Sequence, residues 1–80
     1  MIRLFNIIIN DKQISCDYEP EQSGKSGHLS VSILTQEVSN YRFSEYEYGK
    51  KFYLSHAYAK LLDLINSKTQ IPHEAYSICF

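Results

Sequence analysis

The sequence predicts an α+β fold: an antiparallel sheet of four to five strands, in ββββαβ order, with one long helix packed on one face. Two patterns carry this expectation. Short apolar segments separated by turn residues fill residues 2–43, and a single stretch of helical period follows at 53–66. One helix laid across one face of an antiparallel sheet is the economical two-layer arrangement for that order. Eighty residues set the scale, a single domain over 1–80 with a small core.

The segment IRLFNIII (2–9) is apolar on both parities, which predicts a strand covered on both faces or a central one. NDK (10–12) supplies turn chemistry, because Asn and Asp tolerate left-handed backbone and bond their own main chain. QISCDY (13–18) alternates, with Ile14, Cys16 and Tyr18 on one face, so residues 2–18 read as a hairpin. EPEQSGKSG (19–27) has no apolar residue and reads as a loop. HLSVSIL (28–34) alternates with Leu29, Val31 and Ile33 inward, and EVSNYRF (37–43) returns after a tight connection. The apolar residues of that return change parity between Val38 and Tyr41, which predicts a β-bulge or a register irregularity near Asn40.

SEYE (44–47) fits a capping box, with Ser44 as N-cap and Glu47 reaching back. Gly49 delays the helix to as late as Lys51. Leu54, Ala57, Tyr58, Leu61, Leu64 and Ile65 then form one apolar stripe, which Pro72 ends. EAYSICF (74–80) reads as a last strand with Tyr76, Ile78 and Phe80 on one side. Its crossover connection leaves parallel pairing with a neighbour open. That strand is also a candidate open edge.

Composition narrows the function classes. With 44% hydrophobic and 21% charged residues, seven tyrosines and four phenylalanines, the chain is not of the disordered type. A net charge of −1 with scattered basic residues gives no support to a nucleic-acid partner, which a basic patch would announce. The two cysteines form no CxxC pair and read as free thiols in a reducing, cytoplasmic compartment. The apolar run at the start is too short for a signal peptide or a membrane span, so no membrane partner is expected.

The search for chemistry is mostly negative. His28, His56, His73 and the cysteines show no metal-ligand spacing, and no metal or cofactor is expected. Cys16 lies on the inward parity of its strand, where a thiol stays protonated, and Cys79 is too near the end of the chain to hold geometry. The three acids of DYEPE (17–21) read as a solvated loop. In SGKSG (23–27) only the GKS of a phosphate loop is present, and a strand follows it instead of a helix, so nucleotide binding is rejected. YEYGKKFY (46–53) interleaves aromatics with lysines as single-strand binders do, but Glu45 and Glu47 offset the charge, and packing of the helix entry explains the tyrosines.

His56 falls about 140° from Leu61 on a helical wheel, on the solvent side. With Phe52, Tyr53 and Lys60 it forms a candidate interaction surface, because aromatics with a polar tip favour interfaces. No catalytic residue is assigned.

The segments ISCDYEPE, GHLSVSILTQEV, YLSHAYAKLLDL and IPHEAYSICF resemble those of a functionally uncharacterised family of small proteins from Gram-positive bacteria and their phages. That resemblance covers most of the chain. It implies a small cytoplasmic α+β domain of bacterial type and carries over no site residue.

The function expected from these features is a non-enzymatic protein-interaction module that binds a protein partner or itself. Its surface is either the second face of the sheet or the Phe52–Lys60 side of the helix. The alternative is a weak single-stranded nucleic-acid binder through residues 46–53. A small enzyme, built on Cys16 or His56 in a pocket, is the third reading.

Overall fold

The structure, a computed structural model, describes residues 1–47, 52–67 and 70–77. Strands β1 (Ile2–Ile9), β2 (Gln13–Pro20), β3 (Gly27–Ser32) and β4 (Val38–Arg42) are followed by helix α1 (Phe52–Asn66) and strand β5 (Ala75–Ser77). They form one five-stranded sheet in the order β4-β3-β2-β1-β5, and every neighbouring pair is antiparallel. This is the expected α+β architecture. The last strand pairs antiparallel to β1, so the option of a parallel neighbour is not taken.

The first hairpin turns as its residues dictate. The side-chain Oδ1 of Asn10 accepts from the N–H groups of Lys12 (2.8 Å) and Gln13 (2.9 Å), closing a tight turn without a glycine. Strict alternation in β2 then sends Ile14, Cys16 and Tyr18 into the core, where Leu29 and Val31 of β3 meet them. From α1, Leu54, Ala57 and Leu61 close the layer, with Tyr58, Leu64 and Ile65 packed at its margin. The stripe read from helical spacing is therefore the packed one.

The strand β1 is an interior one, between β2 and β5, which meets one of the two expected arrangements and not the other. It is not covered on both faces. Phe5 pairs with Asp17 and Ile8 with Ser15, so one extra residue sits in β1 between them. Asn6 takes it up with a left-handed backbone (φ 52°), a conformation asparagine tolerates better than most residues. Ile2 and Leu4 point to the helix, and after the bulge Ile7 does so too, while Ile8 is turned out and is 63% exposed. The mixed parity of IRLFNIII comes from a bulge and not from two covered faces. The expected apolar second sheet face is absent for the same reason. Apart from Phe5, Ile8 and Tyr76, that face is built of Arg3, Gln13, Ser15, Asp17, Glu19, His28, Ser30, Ser32, Asn40 and Arg42.

The return strand behaves as expected. Ser30 pairs with Asn40 but Val31 with Val38, so Ser39 is the extra residue, next to the predicted position. The third strand ends earlier than the apolar run suggested. Ser32 closes it, and Leu34 lies in the following turn, 93% exposed. Ile78, Cys79 and Phe80 lie outside the described residues, as do Tyr48, Gly49, Lys50 and Lys51 of the aromatic–lysine segment. Among the described residues no helix is long and apolar enough to cross a membrane.

Candidate functional site

The helix does not cover the whole sheet. It packs chiefly on β1, β2, β3 and the short β5, and leaves the helix-side face of β4 partly exposed. On that face stand Val38, paired with Val31, and Tyr41, paired with Leu29. In a regular strand residues three apart point to opposite sides, and the extra Ser39 brings these two to the same side. Val38 is 39% and Tyr41 52% exposed. The ring of Phe43, also exposed, lies 5.1 Å from that of Tyr41.

Between β4 and the helix runs a groove of about 190 Å³, lined by Val38, Tyr41, Leu54, Ser55 and Tyr58. Its width is set by polar ties at both ends. At the turn before β4, the hydroxyl of Tyr58 donates to the carbonyl of Gln36, and Gln36 Nε2 donates to Asn66 Oδ1 (3.1 Å). Beyond β4, the buried Tyr18 hydroxyl accepts from the N–H of Ser44 (3.0 Å) and donates to Glu47 Oε1 (3.4 Å). Burial and the neighbouring Glu47 push the Tyr18 phenol up to about 12, so it stays a donor at any ordinary pH.

Glu47 in turn caps the helix. Its carboxylate accepts the N–H groups of Tyr53 (3.2 Å) and Leu54, supplying negative charge to a first turn that has no acid of its own. The capping box read from SEYE is thus corrected. Ser44 does not cap α1. Its hydroxyl accepts from Tyr46 N–H (3.0 Å) within its own turn, and Glu47 reaches forward to the helix rather than back. Gly27 makes the crossing possible. A Cβ there would meet the carbonyl oxygen of Arg42 and the ring of Tyr18 at 2.5 Å each.

None of the four residues expected on the helix surface, Phe52, Tyr53, His56 and Lys60, lines this groove. Phe52 is exposed, and its ring meets that of His56 edge-on at 4.7 Å. Tyr53 is half-buried, its ring edge-on to Phe52 (5.0 Å), tilted against Tyr46 (5.5 Å) and packed on the core. Lys60 follows His56 one turn later, half-buried. Val38, Tyr41 and Phe43 were not among the residues singled out, although the parity change at 38–41 was the signal that they share a face.

The opposite sheet face holds a polar chain that sequence spacing did not reveal. Asn6 Nδ2 donates to Asp17 Oδ2 (2.9 Å), Asp17 Oδ1 lies 3.0 Å from His28 Nδ1, and His28 Nε2 lies 3.3 Å from Ser30 Oγ. Burial works against ionisation of Asp17. The hydrogen bonds from Asn6 and His28, with the charges of His28 and Arg42, outweigh it and hold the carboxyl below its usual range. The order Asp–His–Ser is that of an activated hydroxyl. Ser30, however, is only 4% exposed and sits in a central strand, where neighbouring main-chain N–H groups serve the ladder and are not aimed at an oxyanion.

A wider groove of about 460 Å³ lies beside β5, between Arg3, Phe5, Ile8 and His73. The guanidinium of Arg3 rests 4.2 Å over the Phe5 ring, with Glu19 at 3.4 Å and Glu74 at 3.8 Å. Arg3 Nε is buried without a hydrogen bond, so the Glu19 contact is Coulombic only. Cys16 is buried, and desolvation with the adjacent Asp17 pushes its thiol up to about 12. At that value it is no nucleophile. His56 lines neither groove. Among the described residues no three His, Cys, Asp or Glu side chains gather to hold a metal ion.

The chain matches no protein-family model, no curated protein and no solved structure.

Proposed function

We propose that this protein is a non-enzymatic association module whose working surface is the β4–α1 flank. One observation carries the reading. An edge strand and an apolar groove occur side by side, and the bulge at Ser39 turns Val38 and Tyr41 toward the groove instead of into a core. A sheet edge offers unpaired main-chain groups, and an adjoining apolar channel offers side-chain specificity. Together they are the chemistry by which an extended chain is bound. Phe52, exposed and edge-on to His56, stands on the same helix as the groove-lining Ser55.

The proposal includes a cytoplasmic setting. A buried, unpaired Cys16 thiol suits a reducing compartment.

A photo-crosslinking amino acid placed at Ser55 tests the surface in cells, with the same probe at Ser15 on the polar face as control. Adducts from position 55, whether to another copy or to a different protein, and none from position 15 are expected. Adducts from position 15 alone, or from neither position, sink the proposal.

A further inference from the structure

Building on the association reading above, we propose that the occupant of this flank is a second copy of the chain. The two copies pair edge to edge through β4, in the antiparallel register that sets Glu37 against Arg42, Val38 against Tyr41 and Ser39 against Asn40.

The segment EVSNYR (37–42) is its own antiparallel complement. Read against a reversed copy of itself, an acid meets a base, an aliphatic side chain meets an aromatic one, and a small polar residue meets another. Each match occurs twice by symmetry, as an isologous two-fold contact requires.

Complementary letters are not enough, because partners in a β-ladder must share a face. In a regular strand this register fails. Val38 and Tyr41 are an odd number of residues apart and would point to opposite sides. The extra Ser39 removes the conflict. Val38 and Tyr41 both stand on the helix side, as their partners Val31 and Leu29 show. Arg42 stands on the other side with His28, and the carbonyl of Glu37 accepts from the N–H of Ser32, which sets Glu37 opposite Ser32 of that side. The bulge thus makes the register consistent on both faces.

The surroundings fit a copy of the same strand. Val38, Tyr41, Arg42 and Glu37 are all exposed. The second copy's Tyr41 would arrive beside Val38, at the mouth of the groove formed with Leu54, Ser55 and Tyr58. Arg42 spends Nη1 on the Ser26 carbonyl (3.1 Å) and keeps further N–H groups for a carboxylate. Pairing would continue the sheet across the two-fold axis and cover two edges at once.

The test is sedimentation velocity over a concentration series, on wild type, Glu37→Arg and the double variant Glu37→Arg/Arg42→Glu. Circular dichroism verifies that each is folded. Wild type is expected to dimerise. Glu37→Arg sets arginine against arginine twice and should weaken the dimer at least about tenfold, because like charges juxtaposed at an interface are costly. The double variant restores opposite charges and should recover the dimer. A wild type that is monomeric at every concentration overturns the self-pairing. So does a dimer indifferent to Glu37→Arg, or one that the double variant fails to recover. A monomeric wild type whose Ser55 probe still crosslinks to another protein would remove the second copy as occupant and leave the association module standing.

Discussion

Strands β1 and β4 each carry one extra residue, and the two bulges have opposite outcomes. At Asn6 the shift in β1 carries Ile7 under the helix, where it is buried, and gives the bulge residue itself a polar partner in Asp17. At Ser39 the shift in β4 lines up Val38 and Tyr41 on a face that the helix only borders, across a groove. The same backbone device completes the core at one place and leaves apolar side chains in water at the other. Apolar surface left in water at a sheet edge is a liability unless something covers it. The contrast makes the β1 bulge part of the core, and the proposed association gives the β4 bulge its use.

The contrast is tested most severely by shortening the apolar residue that each bulge places. Ile7→Ala removes buried methyl groups from the core cluster and should cost about 2–5 kcal/mol. Val38→Ala, on a half-exposed site, should change the stability of the isolated chain by no more than about 0.5 kcal/mol. Urea unfolding at low protein concentration reads both. Equal losses would mean that β4 is packed like β1, and the assignment of separate roles would be lost.

A smaller effect separates backbone from side chain within the first bulge. Asn6→Ala must hold a left-handed conformation without the residue type that tolerates it, and also loses the bond to Asp17. Asn6→Gly loses the bond but keeps the backbone freedom. Alanine should be worse than glycine by roughly 1 kcal/mol. If the two variants are equally stable, the bulge is not held by the φ of Asn6, and the parity of β1 needs another cause.

How much of this was legible in the sequence depended on the range of the interaction. Period-two and helical patterns are local, so the element order, the inward residues of β2 and β3 and the helix stripe were readable. The bulge in β4 was readable because Val38 and Tyr41 visibly break alternation. The one in β1 was not, because isoleucines at 7, 8 and 9 look apolar in any register, and only pairing with Ser15 and Asp17 shows which is turned out. The groove was not legible. The helix wheel gives the exposure of Phe52 but not the groove, which needs the lateral placement of α1, tied by Tyr58 to Gln36 and by Glu47 at the helix start, contacts across 22 and six residues of chain. The Asp17–His28 pair likewise needs the β2–β3 register.

The polar chain on the open face gives the smallest of the expected effects and bears on what the Asn6 bulge adds beyond burial. Asp17 has its carboxyl held below the ordinary 3.8 in the fold. A lowered folded value means the ionised form is the one the fold favours. Its contribution is fully present above the unfolded value and is lost as pH falls through the lower, folded one. Asp17→Asn should therefore cost little at neutral pH, under about 1 kcal/mol for a partly solvated pair. The variant should also flatten the acid limb of the stability curve. Urea midpoints for wild type and Asp17→Asn between about pH 6 and about pH 2 measure it, and the two curves should converge toward the acid end. Parallel curves would show that Asp17 has the same proton affinity folded and unfolded. The polar chain would then be an incidental neighbour of the bulge, and β1 would owe its irregular register to the burial of Ile7 alone.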